Sequence, residues 1–300
     1  MRRLAVFFLF FFALALAVEG PARASPNDKV AWKDEWPRFT QWETLGTLGA
    51  TAATFVVERR LPEPHSERID VEVPILDPGA RYLLRGRNKH QQDVFGTYSD
   101  LGFRMMAFFP YVVDVAVVTL GVHHNPDVAA QMSLIDLQAL TFSGFTQLIA
   151  SRLVGRARPY KQDCNPVTGT TITRDCGGEN DNKSFYSGHS AAAFTSAGLI
   201  CVHHEHLPLY GGGPVEQWAC VWGLSVAAAT GVFRVVSDAH YASDVLFGAG
   251  IGWFYGYVMP KLLHYKDKPL TPRDRKNDVL WTPSFTPVAD GGVLSIGAVF

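Results

Sequence analysis

The sequence predicts an all-α helical bundle that ends in a short C-terminal β-hairpin or an extended tail. Long apolar segments, separated by polar turns, fill the middle of the chain, and their lengths suit helices rather than strands. Near the C-terminus, two apolar stretches flank Asp290-Gly291-Gly292, a pattern typical of a hairpin turn. With 300 residues, of which 47% are hydrophobic, the chain can bury the core of one domain with extensions or of two small ones.

The first 24 residues have the features of an export signal. Arg2 and Arg3 precede an apolar stretch over residues 4–18, and residues 22–24 form an A-x-A cleavage pattern. We therefore predict a signal peptide over residues 1–24 and an exported mature chain that begins near Ser25, in an oxidising compartment. An uncleaved membrane anchor is the alternative, although the apolar stretch is short for a span.

Three further regions follow along the chain. Residues 25–97 contain one apolar stretch, expected to form a short helix, and then a polar loop rich in proline. Residues 98–265 hold the long apolar segments and form the predicted helical core. Residues 266–300 regain proline and charge and form the predicted tail.

The cysteines suggest one disulfide. Cys164 and Cys176 flank a polar segment, and a bond between them would stabilise a loop in an exported protein. Cys201 and Cys220 lie in apolar stretches, where we expect them to pack as small hydrophobic residues.

Whether the apolar segments span a membrane depends on their length and polarity. A span needs about 20 mostly apolar residues. Pro110 and Asp114 interrupt one segment, and the segments 218–233 and 245–260 are shorter than that length. We therefore favour a globular domain in the periplasm or cell envelope, with membrane association as the open alternative. The formal net charge of -1 and the lack of a basic run argue against a nucleic-acid partner.

Two short motifs in the core could bind an anion. The first, residues 155–159, has the sequence GRARP, in which the proline ends a helix and two arginines are left to bind an oxyanion. A solvated helix terminus that attracts cations is the alternative. In the second, residues 185–190 (FYSGHS), Ser187 is placed to cap a helix, Gly188 lets a ligand approach the backbone, and His189 stands in the first turn. An ordinary cap with a nearby histidine is the alternative here.

The third motif combines Arg234, His240 and Asp244. On a helix, His240 and Asp244 are four residues apart and share a face. The carboxylate can then accept a hydrogen bond from one ring nitrogen and leave the other nucleophilic. A purely structural His–Asp pair is the alternative.

Taken together and in this order, the three motifs resemble the type 2 phosphatidic acid phosphatase superfamily, which includes lipid phosphatases, bacterial acid phosphatases and vanadium haloperoxidases. The resemblance covers residues 99–259. It implies the helical bundle of that superfamily and a metal-independent phosphohydrolase without a cofactor. The expected substrate is a phosphate monoester or pyrophosphate, carried by a small molecule or a lipid.

The resemblance also implies a role for each motif residue. His240 would attack phosphorus and form a phosphohistidine, with Asp244 holding its tautomer. His189 would protonate the leaving oxygen and then activate water, which requires that His189 be protonated and His240 neutral in the free enzyme. The phosphate-binding groups are expected to be Arg158, Arg234, the Ser187 hydroxyl and the Gly188 N–H.

Two positions depart from the superfamily pattern. Its members usually carry a lysine seven residues before the arginine of the Arg-Pro pair, but Ser151 stands there, with Arg152 next to it. The residue before Ser-Gly-His is commonly proline, and here it is Tyr186. The first departure removes a phosphate-binding cation, so the substitute for the lysine is an open question.

Two other functions fit the same residues. We call the expected phosphate-binding groups of Arg158, Arg234, Ser187 and Gly188 the phosphate cradle. In a vanadium haloperoxidase this cradle would hold vanadate permanently, with His240 as its axial ligand. A catalytically idle envelope protein would use the bundle only for binding or structure. Residues 203–206 (HHEH) could bind a metal, but a polar helix end is the expected role.

Overall fold

The computed structural model describes residues 29–69, 72–164, 178 and 180–266, and the backbone of residues 280–288 and 291–299. The predicted signal peptide, residues 1–24, lies outside the described residues. Wider π-type turns cover Pro110–Val122 and Phe254–Val258, and a 3-10 turn covers Pro159–Asp163. The helices are α1 (Gln41–Arg60), α2 (Leu76–Leu84), α3 (Lys89–Phe109), α4 (Pro126–Val154), α5 (Gly188–His206), α6 (Pro214–Val236), α7 (Ala242–Trp253) and α8 (Met259–Leu263).

The described chain is therefore an α-helical bundle, as predicted. Beyond the helices, β1 (Leu280–Val288) and β2 (Gly291–Val299) pair antiparallel, with Leu280 opposite Val299, in the hairpin that the sequence predicts.

Helix boundaries follow from local sequence. The Thr40 hydroxyl accepts from the Glu43 N–H at 3.3 Å, and the Glu43 carboxylate accepts from the Thr40 N–H at 2.7 Å, a capping box that starts α1. Asn88 and Asn125 cap α3 and α4 through their side-chain oxygens. At the other end of α4, Gly155 adopts a left-handed conformation with φ of 61°, which ends the helix and turns the chain into the GRARP segment.

The expectation that Pro110 and Asp114 interrupt their segment is wrong. Pro110 stands where the α-helical turns of α3 give way to wider ones, so the N–H that proline lacks is not required there. Asp114 is buried, and its Oδ1 accepts a hydrogen bond from the Tyr210 hydroxyl at 2.8 Å and lies 3.5 Å from His204 Nε2. Lys89–Val122 is consequently one continuous helical stretch of 34 residues.

Two helices of the described residues are long and apolar enough to cross a membrane. They are Lys89–Val122 and Pro214–Val236, with 28% and 56% of their most apolar windows buried. The first is mostly exposed, which is unlike the inner helix of a soluble bundle. Its exposed large apolar side chains are Tyr98, Leu101, Met105, Phe108, Val112, Val117, Leu120 and Val122.

Helix α5 lies at the centre of the bundle, packed against α3, α4, α6 and α7. Glycines recur every four residues on the stretch that crosses it, at Gly248, Gly252 and Gly256. A Cβ at Gly252 would lie 2.2 Å from the Ala191 carbonyl oxygen, and one at Gly256 would lie 2.0 Å from that of Thr195. The backbones therefore touch, and this contact holds the end of α7 and the turns after it against the first half of α5.

The expectation that Cys201 and Cys220 pack as small hydrophobic residues is wrong. The two residues form a disulfide between α5 and α6, with Cα atoms 4.4 Å apart, because the helices pack closely enough to bring both cysteines into contact. Cys164 is also disulfide-bonded. Cys176, its predicted partner, lies outside the described residues.

The second half of α5 is also more buried than the sequence suggests. Residues 203–206 form the polar end of α5, as predicted, but His203 and His204 are only 0% and 2% exposed. The imidazole of His203 contacts Asp136 at 2.8 Å and the Tyr265 hydroxyl at 2.6 Å, while His204 pairs with Glu216. Asp136 and Tyr265 lie 67 and 62 positions from His203 in the chain, so the local sequence does not predict this burial.

Candidate active site

The three motifs meet at one end of the bundle. Arg158 follows the end of α4, His189 stands in the first turn of α5, and His240 lies in the loop between α6 and α7. The Arg158 N–H donates to the Asp181 carbonyl at 2.8 Å, and the Ser190 N–H donates to the Ser187 hydroxyl at 3.4 Å, which makes Ser187 the N-cap of α5 as predicted. The free N–H groups of that first turn, Gly188 included, are suited to an anion.

His240 is buried and held by main-chain groups. Its side chain is 3% exposed, and its N–H donates to the Arg234 carbonyl at 3.3 Å. The ring Nδ1 lies 2.7 Å from the Ser184 carbonyl oxygen. Because a carbonyl can only accept, Nδ1 carries the proton and Nε2 keeps its lone pair. The geometry therefore gives His240 the tautomer that a nucleophile needs.

Asp244 does not hold His240 in the way that the sequence suggests. Helix α7 begins at Ala242, so His240 precedes the helix and the two residues do not share a helical face. The His240 Nδ1 and Asp244 Oδ2 atoms are 3.9 Å apart, beyond hydrogen-bond distance. Asp244 instead accepts from the Ser184 hydroxyl at 2.5 Å and from the Tyr241 N–H at 3.1 Å. It acts on His240 through Ser184, which the sequence analysis missed.

Arg156 holds the carboxylate of Asp244 in place. Its guanidinium donates to Asp244 at 2.5 Å and to Asp77 at 2.8 Å, and it stacks on the Tyr241 ring at 4.1 Å. Burial opposes the charge of Asp77, but hydrogen bonds from the N–H groups of Val73 and Ser243 and from Arg156 bring its pKa below the usual value. The first arginine of GRARP is thus a structural cation, and only the second is left for the phosphate.

His189 is paired with a residue outside the motifs. Its Nε2 lies 2.8 Å from Asp100 Oδ1, and the same oxygen accepts from Arg234 Nη1 at 3.2 Å. The Phe103 ring packs against the imidazole with centroids 4.9 Å apart. Asp100 and Phe103 belong to α3, so this helix completes one wall of the site.

The electrostatics of the site favour neutral histidines while no anion is bound. Burial lowers the pKa of His240 well below the ordinary value, and the positive charges of Arg158 and Arg234 lower it further. Burial and Arg234 lower the pKa of His189 to about 4, against the opposing charge of Asp100. This shift opposes the expectation that His189 is protonated in the free enzyme, because two arginines face it.

The place of the missing lysine is not taken by Arg152. Ser151 is buried and donates to the Leu148 carbonyl at 2.9 Å. Arg152 donates to the Leu61 carbonyl at 2.8 Å and pairs with Glu63 at 3.3 Å, so it holds the segment after α1. Across the described ranges, no group of three or more His, Cys, Asp or Glu side chains could hold a metal ion.

Comparisons with known proteins address the same region. The family model of the PAP2 superfamily, the type 2 phosphatidic acid phosphatases, matches residues 133–268. Over 73 residues the chain is 42% identical to a protein named lipid A 1-phosphatase from Porphyromonas gingivalis, a match that covers 24% of this chain and 15% of that protein.

A solved structure of a transmembrane PAP2 type phosphatidylglycerolphosphate phosphatase from Bacillus subtilis is 17% identical. That match covers 87% of this chain and 96% of the other, with a TM-score of 0.42. The family model alone places residues 133–268, which carry all three motifs, in the PAP2 superfamily.

Proposed function

We propose that the chain is a phosphohydrolase that cleaves a lipid-linked phosphate monoester or pyrophosphate through a phosphohistidine, without a metal or cofactor. The observation that carries the proposal is the buried His240. Its Nδ1 donates a hydrogen bond to the Ser184 carbonyl, so Nε2 keeps the lone pair of a nucleophile. Arg158 and Arg234 both act electrostatically on its ring. A nucleophile beside two cations, at the N-terminus of α5, suits an incoming phosphate.

The first half-reaction uses both histidines. The Nε2 lone pair of His240 attacks phosphorus as the bond to the leaving oxygen breaks, and His189 gives that oxygen a proton. Because His189 is neutral in the empty site, this proton arrives with the substrate: the negative charge of the bound phosphate offsets the arginines and raises the proton affinity of His189. Arg158, Arg234, the Ser187 hydroxyl and the Gly188 N–H bind the oxygens as charge develops on them.

The second half-reaction returns the enzyme to its starting state. Neutral His189 takes a proton from water as the water oxygen attacks phosphorus. The N–P bond breaks, and the lone pair returns to His240 Nε2. Asp244 and Arg156 hold Ser184, and through it the ring of His240, during both steps.

The lipid part of the proposal rests on an apolar groove of about 720 Å³ between α3 and α6. Two of its lining residues, Leu101 and Phe233, are the chain neighbours of Asp100 and Arg234, so the groove lies near the site. Its other lining residues are Tyr98, Gly102, Arg104, Met105, Phe108, Ser225, Val226, Ala229 and Thr230. A phosphate in the cradle would place a hydrocarbon tail along this groove, with the apolar part of α3 facing lipid.

The membrane part of the proposal follows from the same helices. Lys89–Val122 and Pro214–Val236 form both the groove and the two candidate spans, so a lipid substrate could enter sideways from a bilayer. The name of one relative, lipid A 1-phosphatase, supports a lipid phosphate as the substrate. We place the protein in the cell envelope, exported and associated with the membrane.

A phosphate-release screen in EDTA tests the proposal and its rivals. The purified full chain in detergent should hydrolyse a lipid phosphate such as phosphatidic acid, undecaprenyl pyrophosphate or lipid A, and favour it over nucleotides and small esters. Bromination with added vanadate and peroxide, without phosphate release, would instead identify a haloperoxidase. If neither activity were detected, the result would indicate a catalytically idle envelope protein.

A further inference from the structure

The carboxylate of Asp100 lies where a substrate oxygen would bind. One oxygen, Oδ1, contacts His189 Nε2 at 2.8 Å and Arg234 Nη1 at 3.2 Å. Both partners are residues that the proposed function assigns to the substrate. A carboxylate oxygen and a phosphate oxygen attract the same donors, so Asp100 stands in for part of the phosphate while the site is empty.

The backbone of Asp100 is fixed, but its side chain can move. The hydroxyl of Ser99 donates to the Thr230 carbonyl at 3.0 Å. A Cβ at Gly102 would lie 2.4 Å from the Thr230 hydroxyl oxygen, so α3 is pressed against α6 on both sides of Asp100. The Asp100 side chain itself is 49% exposed. Rotation about its side-chain bonds can therefore carry the carboxylate from the cradle into solvent without a shift of the helix.

We propose that Asp100 is a positioning residue that acts as an internal ligand of the phosphate cradle: it holds His189 and Arg234 in place while the site is empty and leaves when a phosphate dianion arrives. The inference rests on the proposed function for the identity of the incoming ligand. A dianion and a carboxylate cannot share the same two donors, because their like charges would repel at this distance.

Asp100 also offsets the cations around His189. The charged groups that face His189 are Arg234 on α6, Arg158 after α4 and Asp100 on α3, and the ring interacts with His240. Asp100 is the group that raises the pKa of His189, against burial and both arginines. Its removal should therefore have two effects, tighter binding of anions in the cradle and a lower pKa of His189 in the empty site.

The variant Asp100→Asn tests both effects, with Asp93→Asn as the control. Asp93 is an exposed residue on the same helix, two turns earlier. In Asp100→Asn we expect inorganic phosphate and vanadate to bind about tenfold more tightly, since a competing charge is gone. The pKa of His189, followed by NMR of the ring protons in the substrate-free full chain in detergent, should fall. Asp93→Asn should match the wild type in all three measurements.

Binding and titration keep this inference separate from the proposed function. If wild-type protein bound phosphate and released none from any ester, the proposed function would fail, while the affinity and the His189 titration would still judge Asp100. Phosphate affinity unchanged or weaker in Asp100→Asn, or an unchanged His189 titration, would overturn the inference. Asp100→Ala provides a second variant, because loss of the carboxylate should tighten phosphate binding there as well.

Discussion

At the residue scale, the nucleophile is fixed by one hydrogen bond to a main-chain carbonyl. His240→Ala should abolish phosphate release, because the site offers no second ring nitrogen in that place. In the wild type, acid quench during turnover should trap a phosphoenzyme that the variant lacks. His90→Ala, which removes an exposed histidine, serves as the control and should retain full activity. Near-normal turnover in His240→Ala would exclude the covalent route.

A second prediction concerns the carboxylate that supports the nucleophile. Asp244→Asn should lower kcat by roughly 10²-fold or more, less than the roughly 10⁴-fold loss for the orienting acid of a serine-protease triad, because Asp244 acts through Ser184. The amide would leave the buried Arg156 with only Asp77 as an anionic partner and would disturb Ser184. The measurement is kcat with p-nitrophenyl phosphate, beside Asp127→Asn at an exposed ion pair. Equal kcat in both variants would remove the role of Asp244.

The pH dependence follows from the two lowered pKa values. Each turnover needs one proton on His189 or on the substrate, and a neutral His240. Between about pH 4, where the pKa of His189 lies, and about pH 6, the second pKa of a phosphate ester, the substrate supplies that proton. We expect kcat/KM to be level over this range and to fall tenfold per pH unit above it. A kcat/KM that rises up to pH 9 would contradict the assignment of His189 as the acid.

Local motifs predicted His240, His189, Ser187 and the arginines because each motif carries its chemistry within a few residues. The partners that orient them were not predictable in the same way. Ser184 reaches His240 across 56 positions, and Asp100 reaches His189 across 89. A single sequence contains no signal for such contacts, since they depend on how α3 and the loop before α5 pack in three dimensions.

At the element scale, the sequence predicted where helices begin and end better than how they continue. Caps such as Asn88 and Asn125 are local, and so is the stop at Gly155. The passage of the helix through Pro110 and the bond between Cys201 and Cys220 depend on neighbouring helices, and both expectations were wrong. The tertiary contacts outweigh the local preferences at these positions.

The glycines that bring α7 onto α5 yield a prediction at this scale. Gly252→Ala should destabilise the protein by about 1–3 kcal/mol, because the added Cβ would lie 2.2 Å from the Ala191 carbonyl oxygen. At Gly250, two residues away on the same helix, an added Cβ meets nothing within 4 Å among the described residues. Gly250→Ala should therefore be neutral or stabilising by up to about 1 kcal/mol. Thermal unfolding of both variants in detergent would measure the difference. Equal unfolding temperatures would show that the close contact between Gly252 and Ala191 does not contribute to stability.

At the scale of the whole molecule, the groove between α3 and α6 is where we propose that the hydrocarbon chain of a lipid substrate lies. Ala229→Trp should fill part of this groove, since Ala229 lines it. Displacement of two or three methylenes at about 0.8 kcal/mol each predicts a loss of kcat/KM of roughly 30-fold for a long-chain lipid phosphate. Hydrolysis of p-nitrophenyl phosphate, which has no chain to place there, should stay within about twofold of the wild type.

The matched control is Val117→Trp, which introduces the same side chain at an exposed position of Lys89–Val122, the helical stretch that lines the other side of the groove. If the groove holds the chain, Val117→Trp should leave both substrates unaffected, and the loss in Ala229→Trp should shrink as the lipid chain is shortened. An equal loss for lipid and p-nitrophenyl phosphate in Ala229→Trp would point to a distorted site rather than a blocked groove. No loss for either substrate would mean that the chain lies elsewhere, because a tryptophan in an occupied groove must compete with the hydrocarbon for the same space.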